Sequence, residues 1–297
     1  MLDEHFQTPE LQASAGSLAV ADTLQRASRI ATLPSIAVQI IQLCEAPDTT
    51  IEDVSNVIDP VMSLKILKLV NSAYYGMSSQ INSINQAILM LGLSSIRNIA
   101  IALSLIKFIK GGRVGASFKA NGLWTHSLAV ASAARMLAQK SDVASPDEAF
   151  VAGMLHDIGI IVAMQVHPKS FATMIEALES NDILSFCEME ETYLGASHDV
   201  LGAALCQNWK FPPNLIYATG NHHHPMETPE KYRALPALIN VSDVLAARLQ
   251  IGYSRTVASD DLALDTLVAA NISDADIRFV ETNLPDAVMK AQDVFSS

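Results

Sequence analysis

The feature that most constrains the fold is a strongly apolar segment, residues 149–166, with a histidine and an aspartate at its centre. The segment is about long enough to span a bilayer. Imidazole and carboxylate groups are costly in apolar surroundings unless something compensates them, and His156-Asp157-Ile158-Gly159 interrupts the run. We therefore expect a buried core helix that breaks at a polar site, and no membrane association.

Apolar residues recur at helical spacing along nearly the whole chain, which predicts an all-α fold. Half of the 297 residues are hydrophobic and 17% are charged, so a large core can form. The stretch Gly111-Gly112 to Gly115 is the best candidate for a linker. We predict a loosely ordered N-terminus (1–20), an N-terminal helical subdomain (21–115) and a helical metal-site domain with C-terminal helices (116–297).

Charge and cysteine content indicate the setting in which the protein works. The net charge is -12 and no cluster of lysine and arginine is visible, so we expect no nucleic-acid binding. Cys44, Cys187 and Cys206 lie far apart, which is typical of thiols that pack in a reducing cytoplasm. The first twelve residues contain no apolar run of the kind found in signal peptides. We therefore predict a cytoplasmic protein.

Histidines and aspartates are spread over the second half of the chain, and a shared metal site would compensate all of them at once. Imidazole and carboxylate ligands suit Fe, Mn, Zn and similar divalent ions. The candidate ligands are His126, His156, Asp157, His198, His222, His223 and Asp243.

Two local patterns indicate how these side chains can converge. Neighbouring residues on a helix point about 100° apart, so His156 and Asp157 share one target only if the helix ends there, and Gly159 permits such a break. Asp157 is then able to place one oxygen on each of two ions. The run 222–224 precedes Pro225, which favours a helix end at that point.

Each residue also has a simpler interpretation. Asp243 stands in an almost wholly apolar helix and needs a cap, an arginine such as Arg248, or a metal. A single His126 is usually a hydrogen-bonded core residue, and His224 is a spare beside its two neighbours. The metal interpretation is favoured because the residues occur together in one order at sensible spacings.

The order His126, His156-Asp157, Asp243 resembles the HD superfamily of metal-dependent phosphohydrolases. His198 and the pair His222-His223 resemble the additional ligands of its dinuclear members, including the cyclic-di-GMP phosphodiesterases of the HD-GYP type. This resemblance implies a multi-helix HD-type bundle that holds two divalent ions. Fe or Mn is favoured, Zn, Mg and Ni are allowed, and Asp157 is the bridging, catalytic carboxylate.

The chain is still more similar to the HDOD domain, a bacterial signalling relative, over roughly residues 28–245. The stretches that carry this similarity are Leu33-Pro34, Asp59-Pro60, residues 69–76, residues 84–88, Leu91-Gly92, Trp209, Phe211-Pro212 and His222-His223. HDOD domains are all-helical and commonly act as regulatory modules. The resemblance implies a regulatory protein whose partner is another signalling protein, with a phosphorylated small molecule as a further candidate ligand.

Two departures from the HD-GYP pattern bear on activity. Ile160 stands where those enzymes have a lysine that helps to hold phosphate, and residues 225–229 replace the Gly-Tyr-Pro signature. We therefore rank a regulatory protein with a retained dinuclear site first. An active phosphohydrolase or phosphodiesterase, acting on a nucleotide or cyclic dinucleotide, is second. A diiron protein that reacts with or senses oxygen is third.

Overall fold

The described chain is all-α, as predicted. The computed structural model describes residues 15–27, 35–72, 75–77, 79–110, 120–181, 184–257 and 259–295, and these contain helices and no strands. The helices are α1 (Ala15–Ala27), α2 (Ser35–Glu45), α3 (Ile51–Val57), α4 (Pro60–Val70), α5 (Ile84–Leu91), α6 (Leu93–Lys110), α7 (Ala120–Ser141), α8 (Pro146–Leu155), α9 (Ile158–Val166), α10 (Pro168–Ser180), α11 (Phe186–Leu194), α12 (His198–Asn208), α13 (Pro213–Asn221), α14 (Ala234–Arg248), α15 (Leu264–Ala269) and α16 (Asp274–Phe295). Two short 3-10 helices, Pro225–Glu227 and Glu230–Tyr232, join α13 to α14.

Helix starts in the first half follow from ordinary capping chemistry. Thr50 and Asp53 form a reciprocal capping box at the start of α3. The Asp59 carboxylate accepts from the Met62 amide at 2.7 Å, with Pro60 at the first helical position of α4. These caps fix α3 and α4, which together with α2, α5 and α6 make up the N-terminal helical layer.

The N-terminal layer is joined to the rest of the molecule through α6, which packs against α8. A buried polar contact lies at the same junction. The Tyr75 hydroxyl donates to the Asp147 carboxylate at 2.7 Å, and the Arg135 guanidinium pairs with the same oxygen while lying 4.3 Å from the Tyr75 ring centroid. Asp147 is in the first turn of α8, whose other end leads directly into His156. The junction and the candidate metal site are therefore connected by one helix.

Part of the N-terminal stretch that the sequence predicts to be loosely ordered is helical. Residues 15–20 belong to α1, which packs against α9 and α12 and buries Val20 and Thr23. The Thr23 hydroxyl hydrogen-bonds the His167 ring at 2.8 Å. This helix was missed because its alanine and serine residues carry little apolar periodicity, although alanine favours helix strongly. Residues 1–14 and the predicted linker at 111–115 lie outside the described residues.

The apolar segment around His156 forms the centre of the core. The stretch Pro146–Val166 has the length and hydropathy to cross a membrane, and 89% of it is buried inside the molecule. Helices α5 and α6 also have this length and hydropathy, but only when taken together, and they are bent by 117° relative to each other. Burial of this extent makes the segment a core helix of this fold. The two halves, α8 and α9, pack against α7 and α12 respectively.

Candidate metal centre

Five separate parts of the fold bring the seven predicted ligands together. His126 comes from the middle of α7 and Asp243 from the middle of α14. His156 and Asp157 occupy the break between α8 and α9, and His198 is the first residue of α12. His222 and His223 follow the end of α13, so the predicted helix end at 222–224 is present.

Asp157 lies between two groups of imidazole nitrogens. Its Oδ2 is 3.3 Å from His156 Nε2 and 3.9 Å from His126 Nε2. Its Oδ1 is 3.2 Å from His198 Nε2 and 3.9 Å from His222 Nε2. Each carboxylate oxygen therefore faces its own pair of histidines. This arrangement allows one ion on each side of Asp157.

Asp243 completes the first group. Its Oδ1 is 2.9 Å from His126 Nε2 and 3.9 Å from His156 Nε2. Arg248, one of the alternatives for balancing this aspartate, instead donates to the Asp260 backbone carbonyl at 2.8 Å. Asp243 therefore faces the histidine cluster.

His223 lies at the edge of the second group. Its Nε2 is 3.0 Å from His198 Nε2, and its side chain is half-buried. His224 is exposed and outside the groups of side chains that approach one another closely enough to hold an ion. It is the spare residue that the sequence indicates.

The break between α8 and α9 does not depend on Gly159 in the expected way. The chain leaves the helix at residues 156–157, and Gly159 already lies in the first turn of α9. A Cβ at Gly159 would lie 1.9 Å from the His198 carbonyl oxygen and 2.9 Å from the Gly202 amide nitrogen. Glycine is therefore required for the close approach of α12, which carries His198 to Asp157.

Hydrogen bonds on the outer side of the cluster orient three of the histidines. His156 Nδ1 bonds the Gly153 carbonyl at 2.7 Å, and His222 Nδ1 bonds the Thr219 carbonyl at 2.9 Å. A carbonyl accepts only, so in both rings Nδ1 carries a hydrogen and Nε2 is the nitrogen that faces the centre. This is the usual way in which proteins orient a metal-binding imidazole.

Glu190 orients the third histidine and was missed by sequence reasoning. Its Oε2 accepts from His198 Nδ1 at 2.6 Å and from the His198 backbone amide at 2.8 Å. Glu190 is fully buried, yet it stands in an acidic helix whose neighbours Glu188 and Glu191 are exposed. Nothing in the local pattern distinguishes it from a solvated residue. The nearest signal is Cys187, which precedes it by three residues on the same helical face.

The inward-facing atoms of the cluster lack hydrogen bonds. The short contacts around Asp157 and Asp243 do not have hydrogen-bond geometry, and the atoms concerned are His126 Nε2, His156 Nε2, both Asp157 oxygens, His222 Nε2 and Asp243 Oδ1. A buried acceptor without a partner costs about 1–3 kcal/mol, and more if it is charged. A divalent cation would satisfy all of these atoms together. The donor set, imidazole nitrogens and carboxylate oxygens, therefore fits a metal centre.

The protonation equilibria of the cluster also reflect its need for positive charge. Burial acts to lower the pKa of His156, but its interactions with Asp157, Asp243 and the Gly153 carbonyl together outweigh burial and raise the pKa to about 8. Burial acts to raise the pKa of Asp157, but the nearby His156 and His198 hold it well below its ordinary value. Burial and the neighbouring cationic imidazoles lower the pKa of His222 well below its usual range. Asp157 therefore remains ionised and draws cations towards it.

The two departures from the HD-GYP pattern have clear structural positions. Ile160 is fully buried in α9 among apolar residues. Within residues 225–229, which replace the missing signature, Pro225–Glu227 form a short 3-10 helix that begins after His224. Position 160, where the HD-GYP enzymes have a lysine, therefore supplies no cationic group to the centre.

Comparison with known proteins identifies the fold. The HDOD domain family matches residues 30–225. An uncharacterized protein of Treponema pallidum is 28% identical over 249 residues, which are 82% of this chain and 46% of that protein. The chain thus spans about half the length of this relative.

Two solved structures are similar over nearly their whole length. An HDOD domain protein of unknown function from Geobacter sulfurreducens is 23% identical, with a TM-score of 0.74, covering 93% of this chain and 99% of the other. The "Putative phosphohydrolase" of Shewanella amazonensis SB2B is 26% identical, with a TM-score of 0.68, covering 93% and 98%. Because the family match extends over more than half of the chain and includes six of the seven candidate ligands, the protein belongs to the HDOD domain family.

Proposed function

We propose that this chain is a bacterial signalling regulator whose HDOD domain holds two divalent metal ions for structure or sensing. The ions would join α7, α12, α13 and α14 to the break between α8 and α9. The observation that carries the proposal is the set of buried nitrogen and oxygen atoms that face one another without hydrogen bonds. Metal binding would then contribute directly to the stability of the folded domain.

The proposed division of ligands follows the two oxygens of Asp157. One ion would be held by Asp157 Oδ2 with His126, His156 and Asp243. The other would be held by Asp157 Oδ1 with His198, His222 and His223. Ligand atoms within 4.8 Å of one another support the set His126, His156 and Asp157 and the set Asp157, His198 and His222. Asp243 also approaches His222 and His223 within this distance. When bound, such ions supply positive charge that stabilises the carboxylates and polarises any oxygen ligand.

Burial supports regulation over catalysis. Six of the seven ligands are at most 2% exposed, and His223 alone is half-buried. A phosphoryl substrate and its attacking water would both have to reach the ions. The enclosed cluster and the apolar position of Ile160 therefore favour a site that binds metal without turning over a phosphate ester.

The second candidate is an active metal-dependent phosphohydrolase. It is favoured by the bridging position of Asp157 and by the similarity to the Shewanella protein, which carries that name. In that case Asp157 would be a ligand of both ions. A cyclic dinucleotide or nucleotide would enter past the half-buried His223.

Turnover measurements on metal-loaded protein separate the two candidates. The full chain, reconstituted with Fe(II) or Mn(II), is incubated with cyclic dinucleotides and nucleotides. We expect hydrolysis no faster than that of the Asp157→Ala variant treated in the same way. Hydrolysis that requires Asp157 would contradict the regulatory proposal and support the phosphohydrolase.

A protein partner is proposed for the N-terminal helical layer. Helices α4 and α5, which pack against each other, expose four large apolar side chains: Val61, Leu64, Leu89 and Met90. Apolar surface of this kind often marks a contact with another protein. The wild-type chain should recover a signalling protein from native cells, and a folded Leu64→Glu, Leu89→Glu variant should not. This result would support a protein contact through α4 and α5. Equal recovery by both would contradict it.

A further inference from the structure

Cys187 lies next to the second group of ligands, although the sequence predicts only a packing role for it. It is the second residue of α11, and its side chain is half-buried. The other two cysteines have ordinary polar contacts, Cys44 with the Leu93 carbonyl and Cys206 with the Thr219 hydroxyl. Among the described cysteines, Cys187 is the one that belongs to a group able to hold an ion.

The Cys187 sulfur and one nitrogen each of His198 and His223 all lie within 4.8 Å of one another. A tetrahedral ion with metal–sulfur and metal–nitrogen bonds of about 2.3 and 2.0 Å separates its sulfur and nitrogen donors by roughly 3.5 Å. Side-chain movements of about 1 Å would therefore bring the three donors to binding distance. The Cys187 side chain has room for such a movement, because it is half-buried at the start of α11.

The same helix fixes the histidine that the sulfur approaches. Glu190, one turn after Cys187, is fully buried and holds both the Nδ1 and the backbone amide of His198. Its other oxygen, Oε1, has no hydrogen bond. Helix α11 thus presents a sulfur and a carboxylate to one imidazole, an arrangement that packing alone does not require.

We propose that Cys187 is a thiolate ligand of the second metal ion, beside His198 and His223. The proposal rests on the dinuclear site of the proposed function and specifies the chemistry of one half of it. A sulfur donor favours Zn(II), Fe(II) and Co(II) over Mn(II) and Mg(II). It also fills a coordination position that a hydrolase would leave open for substrate. The two metal positions are therefore unequal, one with oxygen and nitrogen donors and one with a sulfur donor as well.

Cobalt substitution tests this proposal in the full-length chain. Co(II) bound by nitrogen and oxygen donors gives visible ligand-field bands, and a thiolate adds a near-ultraviolet sulfur-to-cobalt charge-transfer band. We expect both in the wild-type protein. The Cys187→Ser variant should lose the charge-transfer band and keep the visible bands, while Cys44→Ser, a matched half-buried control, should keep both.

The outcomes separate the failure of this proposal from failure of the metal site. Visible bands without a charge-transfer band, or a band that survives in Cys187→Ser, would overturn the thiolate ligand and leave the metal site standing. No cobalt bands at all would overturn the metal site itself. Zinc-edge X-ray absorption of the wild-type chain requires no variant: sulfur among the zinc neighbours supports the proposal, and nitrogen and oxygen neighbours alone contradict it.

Discussion

Replacing Glu190 with glutamine should weaken metal binding by about 10- to 100-fold. Both the Nδ1 and the backbone amide of His198 donate to one Glu190 oxygen, at 2.6 and 2.8 Å, with no exposure to solvent. Outer partners of this kind typically contribute 10- to 100-fold to metal affinity, or about 1.4–2.7 kcal/mol. Glutamine preserves the volume and an acceptor oxygen but removes the negative charge that makes His198 a stronger ligand.

The same loss can be followed as a melting temperature. At a free metal concentration 100 times the wild-type Kd, bound metal stabilises the fold by about 2.7 kcal/mol. With Kd raised 10- to 100-fold, the same relation leaves about 1.4 to 0.4 kcal/mol. At roughly 2–4 °C per kcal/mol, the melting temperature in metal falls by about 3–9 °C relative to wild type.

The assay is a competitive titration with a metal-binding dye, together with thermal melts with and without metal. Glu191→Gln is the matched control, because Glu191 is the next residue on α11 and is exposed. It should bind metal like the wild type. A Glu190→Gln variant with wild-type affinity would refute the assigned role of Glu190, and an equal loss in both variants would indicate a general charge effect.

Three further predictions concern metal removal, packing and pH. Chelation of protein saturated with metal at about 100 times Kd should lower the melting temperature by roughly 5–11 °C, and an unchanged melt would contradict a metal that joins the helices. Gly159→Ala should cost at least about 1–3 kcal/mol in urea unfolding and weaken metal binding, because its Cβ would meet the His198 carbonyl at 1.9 Å. Gly122→Ala, in helix α7 with the nearest atom 3.6 Å away, should be neutral or slightly stabilising, and equal losses in both variants would refute the packing argument. Metal affinity should fall by at least about tenfold per pH unit below pH 8, because His156, with a pKa of about 8, is protonated there and must lose that proton to bind. His198 must lose a proton as well, since Glu190 and Asp157 outweigh its burial and hold its pKa well above the ordinary value. An affinity that does not change between pH 8 and 6 would contradict this.

The sequence predicts the helical fold, and it also indicates a set of histidines and aspartates that the structure brings together. The apolar periodicity persists through the core helices, and the predicted break at His156-Asp157 is where α8 ends and α9 begins. A charged pair such as His156-Asp157 in an apolar run has few explanations other than a polar site. The candidate ligands could therefore be recognised in the sequence as polar residues within apolar helices.

The features that the sequence does not reveal depend on tertiary contacts. Glu190 and Cys187 resemble an ordinary surface helix until α11 is placed against His198. The role of Gly159 depends on how closely α12 approaches, which no local pattern encodes. Contacts of this kind, between helices that are distant in the sequence, can be recognised only in the folded structure.

Metal analysis of the purified full-length chain tests the central claim most directly. After incubation with Fe(II), Mn(II), Zn(II) or Co(II) and removal of free ions, elemental analysis counts the ions that remain per chain. The account predicts two ions in the wild-type protein and a clear loss in Asp157→Ala, because that residue contacts both ligand groups. A folded wild-type protein that retains none of these metals would contradict the account.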